Sequence, residues 1–243
     1  PQETSNQTTT KTDPRQQAIL QNLEGNSNSN WPLDRVIWRA GELKIAAATP
    51  LLIKLIGSGR PLRDYCIAWA LGWCGGEGAI SALNGLYKNS SSPEFVRRIA
   101  WEALFKLADE PTREQLQNEI AELLPAEIRN LAINGSAESL NKALQKRLEN
   151  GKQNDFSILE SLYQIDNENT RNVLLEILKT APFQRNYFQR IRHIFKMAEY
   201  RRDAEVFAII VYRFDKEPPA EWRLYSANTR QYLQRRIWRT LKQ

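Results

Sequence analysis

Apolar residues along this chain recur three and four positions apart, and no stretch holds a two-residue alternation for long. That spacing gathers them on one side of an α-helix rather than one side of a strand. Breaks fall at Gly57, Gly75–Gly76, Ser90 to Pro93, Pro111, Gly135 and Gly151, then near Asp166–Asn167, Pro182, Arg202–Asp203 and Pro218–Pro219. The segments between breaks are mostly about 10–18 residues long, ordinary helix lengths. Asp13 followed by Pro14 predicts a helix start and Gly25 its stop, after a polar tail over residues 1–12 with little to bury. Asn26 to Asn30 reads as a polar loop. One run, Val206 to Tyr212, looks strand-like, but Asp203 and Ala204 open a helix well and no pairing strand is evident. The pattern predicts an all-α fold.

The helices repeat. Val96 to Asp109 reads VRRIAWEALFKLAD, and 33 residues earlier Arg63 to Gly76 reads RDYCIAWALGWCGG, with Ala70–Leu71 in register with Ala103–Leu104. Each is followed by a turn and a second amphipathic helix, Ala79 to Tyr87 and Arg113 to Leu124. Ala48 to Ile56 lies 31 residues before Ala79 in the matching place. Self-similarity at such a period predicts stacked helical hairpins, in which no repeat buries its apolar face alone.

Arg97, Arg98, Ala100, Ala103, Leu104 and Asp109 carry a resemblance to HEAT repeats of the short, phycobilisome-lyase-like kind, over residues 31–124. The resemblance implies an α-solenoid of HEAT-like hairpins; beyond it, the pattern of breaks predicts a second helical-hairpin segment over 125–243, ending in a basic helix, and a polar tail with one short helix over 1–30. The resemblance also implies a protein-binding scaffold without chemistry. Similar repeats in some members attach or detach bilin chromophores, and more remote ones grip DNA. Neither function carries over residue by residue: the repeats do not extend along the whole chain, and no Trp-Asp and Arg constellation appears on neighbouring repeats. Trp69, Trp73 and Trp101 depart from the pattern, being bulky where small residues are common. They read as packing, with an aromatic lining of a concave partner site as the alternative.

Charge adds a second feature. Residues 181–243 carry 14 Lys+Arg against 6 Asp+Glu and hold 12 of the 23 aromatic residues, while the rest of the chain is close to neutral. Within Phe183 to Tyr200, Tyr187, Ile191, Ile194, Phe195 and Ala198 share one helix face; Arg185, Gln189, Arg192 and Lys196 form the opposite stripe. A terminal helix from Ser226 to Leu241 buries Leu233, Ile237 and Leu241 and groups Tyr232, Arg235, Arg236 and Arg239, with no acid from Ser226 to the end. Those stripes suit an anionic surface, either an acidic protein segment or nucleic acid, on which Tyr232 and Trp222 could stack on bases. HEAT-type repeats rank the protein partner first.

Catalytic and cofactor signatures are lacking. His193, the single histidine, sits among Arg192 and Lys196, no Gly-x-Ser-x-Gly elbow occurs, and neither glycine cluster completes a phosphate-binding motif. Cys66 and Cys74 lie eight residues apart in one helix, about 12 Å along its axis, too far for a disulfide and too few with one histidine for zinc. They read as small buried hydrophobes in a reducing, cytoplasmic compartment. No apolar run is long enough for a membrane span, and no charged-then-apolar leader opens the chain. Its start at Pro1, without methionine, fits a processed chain or a piece of a longer one. The expectation is a non-enzymatic module without metal or cofactor.

Overall fold

The computed structural model describes residues 13–26, 30–149, 157–180 and 185–216. Among them the chain is all-helical, with thirteen α-helices, a 3-10 turn at Ala46–Ala48 and no strand. It divides into two compact units, Pro1–Ala108 and Asp109–Gln243.

The first unit holds α1 (Pro14–Leu23), α2 (Leu33–Glu42), α3 (Thr49–Lys54), α4 (Pro61–Cys74), α5 (Ala79–Lys88) and α6 (Glu94–Leu107). Asp13 caps α1, its carboxylate accepting from the Arg15 N–H, and Gly25 ends it at φ +76°. α2 packs on α4 and α4 on α6, while α5 lies against α4 and α6 and α3 against α4 and α5. Asp34 at the start of α2 meets Arg63 at the start of α4, and the Cys74 thiol at the end of α4 reaches the Ala40 carbonyl at the end of α2. Tyr65 likewise meets Phe95 near the starts of α4 and α6, and Lys106 donates to the Gly72 carbonyl near their ends. The three helices therefore run parallel. Their inner positions repeat: Val36, Ile37 and Ala40, then Ile67, Ala70 and Leu71, then Ala100, Ala103 and Leu104 are all buried. Each large side chain so buried contributes roughly 1.5–3 kcal/mol.

The second unit holds α7 (Glu110–Glu122), α8 (Ala126–Asn134), α9 (Ala137–Glu149), α10 (Ser157–Ile165), α11 (Glu168–Thr180), α12 (Arg185–Arg201) and α13 (Ala204–Lys216). Neighbours in sequence pack as hairpins, α8 on α9, α10 on α11 and α12 on α13. Next-but-one helices also meet, α9 with α11, α11 with α13 and α10 with α12, and α7 lies on α10. The strand-like run is helical: Asp203 caps α13 through the Val206 N–H, and Val206, Phe207 and Ile210 are buried while Tyr212 is exposed.

Several breaks differ from the pattern. Pro111 sits inside the first turn of α7, behind the cap Asp109, which accepts from Thr112; the break is at Ala108–Asp109. Those hydrogen bonds from Thr112 hold the Asp109 carboxyl below its ordinary range. Pro125 separates α7 from α8, and α2 stops at Leu43–Lys44, two breaks the apolar spacing runs through. Gly78 is the N-cap of α5, so Glu77 precedes that helix. Gly57, Gly75 and Gly76 take the left-handed backbone expected of helix ends. Lys44, Asp166 and Arg202 take it without being glycine.

Candidate functional site

On α4, Leu62, Tyr65, Trp69 and Trp73 follow one another at spacings of three and four, so they share a side. On α2 the corresponding side carries Asp34 and Trp38; on α6 it carries Phe95, Arg98 and Lys106. The Trp38 and Trp69 indoles stack at 3.8 Å with an interplanar angle of 8°, and Trp69 meets Trp73 at 6.2 Å. Close approach of α2 to α4 depends on Gly41, where a Cβ would lie 2.5 Å from Trp69 Cζ3 and 2.8 Å from the Ala70 Cα. The Lys106 ammonium sits 3.3 Å from the Trp73 ring centroid and donates to the Gly72 carbonyl at 2.8 Å. Lys44 approaches the same indole at 5.4 Å. These are cation–π contacts at a part-open surface, worth about 0.5–1 kcal/mol each.

The starts of the same helices form the outer edge of this face. Asp34 accepts from Arg63 at 2.9 Å and lies 3.7 Å from Arg60, while Glu94 pairs with Arg98 at 2.7 Å. Asp64 accepts the Gly57 N–H at 2.9 Å. Leu62 and Phe95, inside the first turns of α4 and α6, are 54% and 40% exposed, and Trp31, just before the Pro32 cap of α2, is 53% exposed.

The sequence-predicted residues separate on the structure. Trp69 and Trp73 are half-buried and lie together, joined by Trp38, which the sequence reading did not single out although it precedes Trp69 by 31 residues, one repeat. Trp101 is elsewhere in character: 1% exposed and stacked on Phe105 at 5.0 Å, it is core and has no surface to offer a partner. Of the basic set, Lys196 is exposed on α12, across the helix from buried Ile191, Ile194 and Ala198, with His193 half-buried beside it. Arg185 and Arg192 belong to α12, but their side chains lie outside the described residues, as do those of Tyr187 and Gln189. Trp222, Tyr232, Arg235, Arg236, Arg239 and the whole stretch Ser226–Leu241 also lie outside them, as does the tail over residues 1–12.

A second polar constellation, in the other unit, was not foreseen at all. Arg171 on α11 holds Asp203 with both of its terminal nitrogens, at 2.9 and 3.0 Å, and reaches Asp166 at 3.2 Å and Glu205 at 3.1 Å. Arg201 lies over the Tyr163 ring at 4.4 Å and donates to the Tyr163 carbonyl and to Asp166, while the Tyr163 hydroxyl donates to Asp203. Burial alone pushes the Asp203 carboxyl up, but the hydrogen bonds and charge of Arg171 hold it below its ordinary range. Burial raises Asp166, and its two arginines only partly offset that. Nearby, Asn167 accepts from the Thr170 N–H and Thr170 Oγ1 accepts from the Asn167 N–H, a reciprocal cap on α11. Apart from Arg171 and Asp166, five residues apart, the partners are separated by 32 to 40 residues, so no local motif announces the cluster. Every group in the cluster is engaged with another, which makes it a clamp between the turns of α10–α11 and α12–α13.

Nucleophilic chemistry has no support from the cysteines. Cys66 and Cys74 are buried free thiols, and burial, the largest influence on each, pushes both up to about 11. Among the described residues no three of His, Cys, Asp and Glu gather to hold a metal ion, and no helix is long and apolar enough to cross a membrane. No family model matches the chain, and neither a curated protein nor a solved structure gives a significant match.

Proposed function

We propose that the chain is a non-catalytic interaction module, a HEAT-like α-solenoid whose recognition surface is the outer face of α2, α4 and α6. The repeat reading draws support from side-chain to main-chain bonds that recur one period apart. Cys74 reaches Ala40, Lys106 reaches Gly72 and Asn169 reaches Gly135, each across 34 residues. The observation that carries the functional reading is the face itself. Three neighbouring parallel helices present aromatic and aliphatic side chains to water beside cations, a composition suited to contact with another protein. The two buried thiols fit work in a reducing, cytoplasmic setting. Affinity capture from an extract of the source cells tests the proposal, comparing wild type with the Leu62→Asp, Phe95→Asp double variant. A protein recovered in stoichiometric amount by wild type and lost by the variant, with matching far-ultraviolet circular dichroism, is the expected result. Recovery of no such protein, or equal recovery by both, would overturn the proposal.

A further inference from the structure

We infer that the Asn134–Gly135 peptide is a site of self-modification, where water converts the asparagine to isoaspartate and thereby loosens α11 from the α8–α9 turn. Asparagine followed by glycine has the chemistry for this, because no side chain shields the glycine nitrogen from the asparagine amide. Such a pair occurs three times, at Asn84–Gly85, Asn134–Gly135 and Asn150–Gly151, and the last lies outside the described residues. Asn84 and Asn134 are both exposed, but their backbones differ.

Asn84–Gly85 lies inside α5. There the Asn84 carbonyl faces the Lys88 N–H four residues on, and the Gly85 carbonyl accepts from the Asn89 N–H at 3.1 Å. Turning that peptide to bring the Gly85 nitrogen onto the Asn84 side chain breaks the helix on both sides. Asn134 is instead the last residue of α8, and Gly135 is already extended, at ψ 179°. The Asn134 carbonyl has no N–H four residues on inside α8. The Gly135 N–H donates to the Leu131 carbonyl at 3.1 Å, and turning the peptide gives up this final bond of the helix. Gly135 absorbs the compensating change in φ. Helix ends open at far lower free energy than interiors. Sterics keep the pair in place: a Cβ at Gly135 would lie 2.7 Å from the Leu131 carbonyl oxygen, whereas one at Gly85 would meet nothing within 4 Å.

The reaction needs water and no oxidant or reductant. The Gly135 nitrogen attacks Asn134 Cγ and gives up its proton; a C–N bond forms, Cγ–Nδ2 breaks, and the side-chain nitrogen leaves with that proton as ammonia. Water then opens the cyclic imide. Breaking its bond from nitrogen to Cγ gives aspartate; breaking the bond to the main-chain carbonyl carbon gives isoaspartate, with the chain running through Cβ and Cγ. Either product sets a carboxylate at the C-terminal end of α8, where the helix dipole opposes it. Isoaspartate also adds an atom to the main chain just before Gly135, whose carbonyl accepts from Asn169 Nδ2 at 2.8 Å. Beside it, Asn167 Nδ2 donates to the Ala132 carbonyl at 3.0 Å. Those two bonds tie the start of α11 to the end of α8, so the insertion strains both.

The full chain is aged at pH 8, digested and mapped by mass spectrometry. Isoaspartate is counted by methyl transfer from S-adenosylmethionine with a protein-isoaspartate methyltransferase. Asn134 is expected to convert at least tenfold faster than Asn84 in the folded chain, and the two rates to converge in urea. Equal rates in the folded chain, a faster Asn84, or an Asn134 left intact while the unfolded chain is converted would overturn the inference. Asn134→Gln, at an exposed position, closes the imide ring far more slowly and isolates the consequence. Aged wild type is expected to lose amide protection at the start of α11 and to unfold at lower urea, while aged Asn134→Gln matches fresh protein. Equal losses in both, or none in wild type once Asn134 is converted, would refute the loosening of α11.

Discussion

Replacing Arg171 with alanine tests the ionic clamp of the second unit most directly. The substitution removes the bidentate contact to Asp203 and the contacts to Asp166 and Glu205, leaving three carboxylates facing the same space. Arg201 still holds Asp166, so one of the three keeps a cation. Breaking a fully buried ion pair costs about 3–5 kcal/mol, because the surviving charge is stranded. Here the Arg171 side chain is 30% exposed and that of Asp203 only 11%, so water screens part of the loss. A cost of about 2–3 kcal/mol follows from that discount. At a urea dependence of about 2 kcal/mol per molar, the midpoint for the second unit should fall by roughly 1–1.5 M. Circular dichroism gives the midpoint, and amide hydrogen exchange over residues 157–213 assigns the loss to α10–α13.

The pH dependence supplies the sharper check. Asp203 lies below its ordinary range in the folded wild type, so its contribution is present at neutral pH and disappears as pH falls through that lowered folded value. Asp166 is raised, which has the opposite sign: folding resists its ionised form, and acidification relieves the penalty. Without Arg171, both carboxyls rise in the folded state, and protonating them removes the stranded charge. The cost of Arg171→Ala should therefore shrink steadily between pH 7 and pH 4. A cost below about 0.5 kcal/mol at pH 7, the level of an ordinary surface pair, would refute the clamp. So would a cost that stays constant with pH. Glu205→Gln, at a side chain 56% exposed, should fall within that surface range.

Gly41→Ala places a methyl group against Trp69 and the Ala70 backbone, neither of which can yield freely, and should destabilise the first unit by about 1–3 kcal/mol in thermal unfolding; an unchanged melting temperature would show that α2 and α4 have slack. Trp101→Ala should cost about 3–5 kcal/mol as a core deletion, and clearly more than Trp73→Ala, whose ring is half-open; equal costs would contradict the division of the tryptophans. Cys66 and Cys74, pushed up to about 11 and buried, should stay unreactive toward a thiol reagent at pH 8 until urea unfolds the chain, and stoichiometric labelling of the native protein would refute their burial.

Apolar periodicity made the helices legible because it reports the one face each must bury, and the register of Ala70–Leu71 with Ala103–Leu104 coincides with buried positions on neighbouring helices. The turn after α2 escaped because Lys44 adopts a left-handed conformation usually marked by glycine, and Asp166 and Arg202 do the same elsewhere. The repeat-like continuation into α7 looks local in sequence, yet α7 packs on α10 in the second unit, a choice made by contacts that no single window contains. Among the tryptophans, composition alone could not separate Trp101 from Trp69 and Trp73. That depended on which side of α6 its neighbours cover. The ionic clamp was illegible for the same reason, since its members are ordinary charged residues until the hairpins stack.

The cross-links between hairpins have a direction. Among the described residues, the side chains of Cys74, Lys106, Asn167, Asn169, Arg201 and Arg213 donate backward, to carbonyls near the end of an earlier helix, while those of Thr49 and Gln117 donate forward in this way. Trimming either unit from its C-terminal side would therefore strip donors from the fragment that remains and leave buried carbonyls bare, whereas trimming from the N-terminal side leaves long side chains that water can satisfy. Tolerance to shortening should be lopsided, and each hairpin acts as the lid on the one before it.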